Sequence, residues 1–181
     1  MKPAWRLIID DRVDGALNMA LDRAALLARD EGVVAPTLRL YRWARPTVSV
    51  GRFQSLDDLD VAYCERTGID VVRRPTGGRG VLHDDEVTYS VIAGTEDGIP
   101  RGVAASYRLF SAALSRAYAL LGVDAEMVSH GRSVGSVPAC YLSPTKADLS
   151  LGANSRAWNF GDGSTSTSRT PYHLFHGFAR F

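Results

Sequence analysis

The chain has 181 residues, of which 45% are hydrophobic and 23% charged, enough to bury the core of one globular domain. A formal net charge of +1 with both signs interspersed excludes a broad basic face that would recruit nucleic acid by counterion release, so any anion binding must be local. The first thirty residues carry neither a secretory h-region nor an uninterrupted apolar span, which points to the cytoplasm and to two reduced, separate thiols, Cys64 and Cys140.

Taken in chain order, "DGALNMALDRAALLARDEG" places Leu17, Ala20, Leu21, Ala24, Leu27 and Ala28 at helical spacing, with Gly32 as the stop. This predicts an amphipathic helix packed on a sheet by that stripe. "TLRLYRW" (37–43) and "TVSVGRF" (47–53) alternate as strands on either side of "ARP", and predict a paired edge hairpin. In "SLDDLDVAYCERTG", Ser55 is the expected N-cap with Asp58 three residues on, and Gly68 the stop. Cys64 falls on that helix and reads as a small buried hydrophobe.

"IDVVRR" and "EVTYSVIAG" read as strands flanking a glycine loop, and "GVAASYRLFSAALSRAYALLGVD" as the longest helix, with Tyr107, Phe110, Leu114, Tyr118 and Leu121 on one stripe. "AEMVS", "PACYL" and "ADLSL" are short strand candidates. From Ala153 onward the strand alternation stops, and a Ser/Thr run and no sustained helical stripe follow.

The loop itself, "RRPTGGRGVLHDDEVTYSVI" (73–92), concentrates the unusual chemistry. Gly77, Gly78 and Gly80 let the main chain turn sharply and let a ligand approach backbone amides, while Arg73, Arg74 and Arg79 surround it with cations. The loop lacks the GK[ST] ending of a phosphate loop and leads into a strand rather than a helix, so neither nucleotide pattern fits. A tight glycine hairpin with surface arginines remains the alternative. Asp84 and Asp85 read as turn residues, and two adjacent carboxylates do not make a metal site. Val81, Leu82, Val87 and Tyr89 are the loop's apolar neighbours, and most of them read as core.

This stretch closely resembles the signature of the lipoate-protein ligase and octanoyltransferase superfamily, relatives of biotin protein ligase. The resemblance continues through "NMALD" (18–22), "PTLRLYRWARPTVSVGRFQ" (36–54) and "ACYLSPTKADLSLG" (139–152), and within the superfamily it is strongest to LipM-type octanoyltransferases. It implies an α/β fold in which a mixed, curved sheet is backed by helices, with 1–152 as an incomplete catalytic domain. It also implies a substrate, an octanoyl chain on acyl carrier protein, and an acceptor, a lysine of a lipoyl-domain protein such as the glycine cleavage H protein. No cofactor, nucleic acid or membrane is called for.

By the same resemblance Cys140 is the nucleophile and His83 lies at the rim of the acyl site, positioning the thioester carbonyl or ferrying a proton; a satisfied structural histidine is the other reading. Arg73, Thr76, Gly77, Gly78, Arg79 and Gly80 are the implied substrate-binding residues, with bracing of the loop through carboxylate pairs as the alternative role for the arginines. Val81, Leu82, Val87 and Tyr89 are candidates to wall an alkyl channel, where each buried methylene contributes ~0.8 kcal/mol. The attacking species must be thiolate, and an ordinary cysteine near pKa ~8.5 is mostly protonated at neutral pH, so a cation or amide dipoles must stabilise it.

The pattern then breaks. Where the family carries "G-x-K", this chain reads "GANSRAWNFGDGS", with Asn154 or Ser155 at the place of the lysine and Arg156 or Lys146 as the neighbouring cations. Residues 153–181 are therefore expected to be an atypical tail, disordered or encoded in a shifted frame. Two other readings follow: an ATP-dependent lipoate-protein ligase, and a non-catalytic remnant that binds acyl groups or lipoyl domains.

Overall fold

The computed structural model describes residues 4–57, 59–123, 125–127, 149–151, 158–159 and 165–166. Two small mixed sheets form its frame. In the first, β2 (Thr37–Trp43) lies between β1 (Arg6–Val13), to which it runs parallel, and β6 (Thr88–Ile92), to which it runs antiparallel. In the second, β3 (Thr47–Val50) lies between β4 (Asp70–Arg73), parallel, and β5 (Val81–His83), antiparallel.

The expected hairpin of 37–43 with 47–53 is thus not formed. The two runs alternate correctly, but each is the centre of its own sheet, and "ARP" is a crossing between sheets rather than a turn. Both strands find better partners far along the chain, because a central strand satisfies its backbone on two sides.

Helix α1 (Gly15–Asp30) is capped by Asp14, whose Oδ1 accepts from the Ala16 and Leu17 amides, and the chain reverses at Gly32 with φ 71°. It packs against β2, β4 and β6, and so bridges the two sheets. The buried face is not the predicted one. Gly15, Asn18, Met19 and Asp22 face inward, while Leu17, Leu21 and Leu27 are 51%, 39% and 53% exposed.

A closed polar seam explains the inversion. Arg39 of β2, almost fully buried, donates from Nε to Asp10 Oδ2 at 2.6 Å, from Nη1 to Asp22 Oδ1 at 2.9 Å and from Nη2 to Asn18 Oδ1 at 2.7 Å, and its guanidinium lies over the Tyr41 ring at 4.2 Å. Ser90 and Tyr41 hydroxyls add donors to Asp22 at 2.8 and 3.2 Å, and Asn18 Nδ2 reaches the Val13 and Arg42 carbonyls. Burial pushes the Asp22 carboxyl above its ordinary pKa, against the lowering pull of Ser90, Arg39 and Tyr41. Polar residues can line an interface when every group finds a partner.

Besides Met19, Tyr41, Trp43 and Val72 on the α1 side, a second apolar cluster sits on the other face of the first sheet. Tyr89, Val91, Ala93 and Ile99 cluster there, with Leu38 and Leu40 of β2 and Phe110 and Leu114 of α3 (Val103–Leu120) packed on them, so the central part of the predicted α3 stripe is the docking face. Leu121 falls off its end and is exposed. Every residue of β6 is buried because α1 covers one side and α3 the other.

Between β3 and β4 the chain forms α2 (Val61–Thr67). Its N-cap is Asp60, which accepts from the Tyr63 amide, and not Ser55, whose hydroxyl is spent on a local turn with Asp57. Gly68 closes the helix at φ 72°, as the sequence predicts. Cys64 is buried on its inner side, and burial raises its thiol pKa. Farther on, β7 (Ala125–Met127) pairs antiparallel with β8 (Leu149–Leu151), matching parts of "AEMVS" and "ADLSL". Two short strands, β9 (Trp158–Asn159) and β10 (Thr165–Ser166), also pair antiparallel. "PACYL" with Cys140, the cations Lys146 and Arg156, and Asn154 and Ser155 lie outside the described residues, as does most of 153–181.

Candidate active site

The glycine loop, residues 74–80, leaves the end of β4 and returns as β5, so both its ends are fixed on β3. Its middle is pinned there too. The Arg52 amide donates to the Thr76 carbonyl at 2.7 Å and the Arg74 amide to the Val50 carbonyl at 3.0 Å. A side chain on Gly51 would run directly into the Gly78 carbonyl, so the absence of one lets the loop lie flat on the strand end. Gly78 itself has φ 90°, a conformation that L residues avoid, and a Cβ there would meet Arg74 Nη2 at 2.9 Å. Gly77 is exposed with open space where a Cβ would stand, and Gly80 is buried.

Two adjacent arginines shape this assembly from opposite sides. Arg74 is buried and donates to the Ser49 carbonyl at 2.7 Å, the Gly77 carbonyl at 2.9 Å from Nη2, and the Arg79 carbonyl at 2.6 Å. Arg73 lies at the surface, and its Nη1 donates to the Gly51 carbonyl at 2.7 Å and the Gln54 carbonyl at 2.8 Å, holding the turn that follows β3. Both arginines therefore brace main chain through carbonyls. Thr76 and Arg79 enter through their carbonyl oxygens.

His83, the inward-facing residue that ends β5, is fully buried and stacked on Trp43 with ring centroids 4.1 Å apart. Its Nε2 is 2.8 Å from Ser49 Oγ and its Nδ1 is 2.6 Å from Glu86 Oε1. Thr88 donates to the same Glu86 oxygen at 2.9 Å, and Trp43 Nε1 donates to Thr88 Oγ1 at 2.8 Å. Of the alkyl-wall candidates, Val81 and Tyr89 are buried, Tyr89 in the α3-side core, while Leu82 and Val87 are exposed, so the four do not share one wall. Asp85 pairs with Arg12 at the surface at 2.6 Å.

The structure thus gathers Arg73, Thr76, Gly77, Gly78 and Arg79 at the end of β3, with His83 opposite its first residue, Thr47, and joined to Ser49, and adds Ser49, Gly51, Trp43 and Glu86, which sequence reasoning passed over. Two signals for them are present: Ser49 and Gly51 share a face of the alternating run "TVSVG", and His83 and Glu86 stand three residues apart across a turn.

The comparisons agree with this architecture. Residues 14–155 match the family described as the Lipoyl protein ligase A/B catalytic domain. Octanoyltransferase LipM of Moorella thermoacetica is 38% identical over 178 residues, covering 96% of this chain and 63% of that protein. Octanoyltransferase LipM of Kyrpidia tusciae is 44% identical over 149 residues, covering 78% of this chain and 54% of that one. The chain spans less than two thirds of the length of these relatives. Among solved structures, a T. acidophilum protein assigned as a lipoate protein ligase, with bound lipoic acid, superposes with a TM-score of 0.63 at 26% identity over 84% of this chain and 59% of that one. Lipoate-protein ligase A bound with ATP gives a TM-score of 0.63 at 26% identity over 84% of this chain and 58% of that one. With most of its length inside the matched region, this chain belongs to the lipoyl protein ligase A/B catalytic-domain family.

Proposed function

We propose that the chain is the catalytic part of an octanoyltransferase that carries an octanoyl group from acyl carrier protein, through a thioester on Cys140, to a lysine of a lipoyl domain. The observation that carries this reading is the identity of 44% and 38% to octanoyltransferases LipM over segments that include the glycine loop and reach most of the chain. Loop geometry supports it: a chain reversal pared to glycine and held flat on β3 offers main chain, not side chains, to an alkyl thioester.

The chemistry balances without an external energy source. The Cys140 thiolate attacks the donor thioester carbonyl, a new carbon–sulfur bond forms, and the carrier's phosphopantetheine thiolate leaves and takes a proton. The acceptor lysine, as the free amine, then attacks the Cys140 thioester; an amide forms, the amine loses a proton, and the Cys140 thiolate is regenerated. Exchanging one thioester for another preserves activation until the amine arrives.

A second reading, an ATP-dependent lipoate ligase, is favoured by the solved neighbours, which include one holding lipoic acid and one holding ATP. Incubation with octanoyl-acyl carrier protein followed by peptide mass spectrometry separates the two. A transferase gains one octanoyl group at Cys140 without ATP, and Cys140→Ser does not, while Cys64→Ser still does. Acyl transfer to a lipoyl domain only when free acid and ATP are supplied would establish the ligase reading instead. Binding of both partners with no transfer under either condition would leave the non-catalytic remnant, consistent with Asn154 or Ser155 standing where the family lysine belongs.

A further inference from the structure

We infer that His83 is a positioning residue, which acts on the glycine loop through Ser49 and Arg74 and does not itself touch the acyl group. This deepens the transferase reading and rests on it only for the catalytic half of its test.

For a neutral imidazole the hydrogen-bond polarity follows from both ends. An indole N–H can only donate, so Trp43 gives its proton to Thr88 Oγ1, and the Thr88 hydroxyl is left to donate to Glu86 Oε1. A carboxylate only accepts, so the 2.6 Å contact requires a proton on His83 Nδ1. In the neutral ring Nε2 then accepts, and the Ser49 hydroxyl 2.8 Å away is its donor. A guanidinium likewise only donates, so Arg74 Nη1, 3.3 Å from Ser49 Oγ and 2.7 Å from the Ser49 carbonyl, completes the chain in the same sense. Each hydroxyl accepts once and donates once along the series Trp43, Thr88, Glu86, His83, Ser49, Arg74.

That series ends on the loop. The remaining arms of Arg74 hold the Gly77 and Arg79 carbonyls, so the rotamer of Ser49 and the placement of Arg74 set where residues 77–79 lie. Stacking on Trp43 fixes the plane of the imidazole, and the ring is fully buried. The arrangement has the connectivity of a Ser–His–Glu triad, but Ser49 is 1% exposed and works as a hinge pin for a loop rather than as a nucleophile.

The test compares Ser49→Ala, His83→Asn and His83→Gln in the full chain by amide exchange and by acyl loading of Cys140. The reporters are the Arg52 and Arg74 amides, whose bonds to the Thr76 and Val50 carbonyls stitch the loop to β3. Ser49→Ala and His83→Asn are expected to speed exchange at both by about tenfold or more. His83→Gln, whose amide reaches the Nε2 position, should stay near the parent. Loading should follow the same order, with the loss in the apparent KM for the acyl donor larger than in the rate at saturation. Parent-like protection in Ser49→Ala overturns the proposal, and so does loss of loading in His83→Asn with loop amides unchanged, since that would make His83 a group acting on the substrate. Should His83→Asn fail to fold, Ser49→Ala decides alone. If the parent never loads Cys140, the transferase reading fails, and the exchange arm still decides the role of His83.

Discussion

Two buried arginines, Arg39 and Arg74, organise two polar seams in this molecule, and they do opposite things. Arg39 is met by the carboxylates of Asp10 and Asp22 and by Asn18, so its charge is cancelled and helix and sheet are locked together. Arg74 reaches the carbonyls of Ser49, Gly77 and Arg79, so its hydrogen bonds are spent on giving a glycine-rich segment one shape. One seam holds elements together and the other holds a loop in a conformation it would not keep alone. The first therefore belongs to stability, and the second to the candidate site.

The sharpest way to break this comparison is to disturb each seam in turn. Arg39→Ala leaves Asp22 buried without its cation, and breaking such a pair is expected to cost ~3–5 kcal/mol, read as a lowered denaturant midpoint with an unchanged slope. A loss under about 1 kcal/mol would show that the seam is not closed as described. Gly78→Ala is expected to cost less, about 1–2 kcal/mol for the positive φ, with Arg74 Nη2 also displaced. Its effect on Cys140 loading should exceed what that stability loss implies, because the loop and not the core is disturbed.

Smaller still is the ion pair between Arg29 and Asp97 at 2.7 Å, which ties the end of α1 to the turn at Thr95–Asp97. Burial pulls the Asp97 carboxyl up, but hydrogen bonds from Arg29 and the Gly94 amide outweigh it and hold the carboxyl below its ordinary range. A depressed folded-state pKa contributes stability that is present above the unfolded value of ~3.9 and lost as pH falls through the folded value. Asp97→Asn should therefore narrow the difference in denaturant midpoint between neutral and strongly acidic pH; an unchanged difference would remove Arg29–Asp97 from the account. Leu17→Gln, on the exposed stripe of α1, should change stability by no more than about 0.5 kcal/mol. A loss of several times that would restore the stripe as a packing face.

Much of this was legible in the sequence, and the failures share a cause. Alternation placed β4 and β6, the stripe through Phe110 and Leu114 placed α3, and Gly68 marked the end of α2, because each is a local signal with one structural solution. Periodicity showed that α1 has an apolar stripe but not which side faces the sheet. That depends on whether Asn18 and Asp22 can be satisfied by Arg39 and Ser90, residues far along the chain. The hairpin failed likewise: strands 37–43 and 47–53 are adjacent in sequence, yet their partners are β1 with β6 and β4 with β5.

At the site, the glycine loop announced itself by composition, but the pieces that shape it did not. Gly51 is an ordinary strand-end glycine until Gly78 is laid on it, and Ser49 an ordinary strand serine until His83 and Arg74 approach. The two adjacent arginines of "RRP" were legible as a cluster, yet which one faces inward followed only from the register of β4 on β3.

The claim at the centre is that the shape of the loop on β3 makes the site, and single-turnover loading of Cys140 by octanoyl-acyl carrier protein tests it when the parent is compared with Gly51→Ala and with Leu17→Gln. A Cβ at Gly51 drives into the Gly78 carbonyl whereas Leu17 lies on the exposed stripe of α1. The account predicts that Gly51→Ala slows loading by about tenfold to a hundredfold while Leu17→Gln stays within about twofold of the parent. Equal effects of the two substitutions, or unimpaired loading in Gly51→Ala, would contradict it.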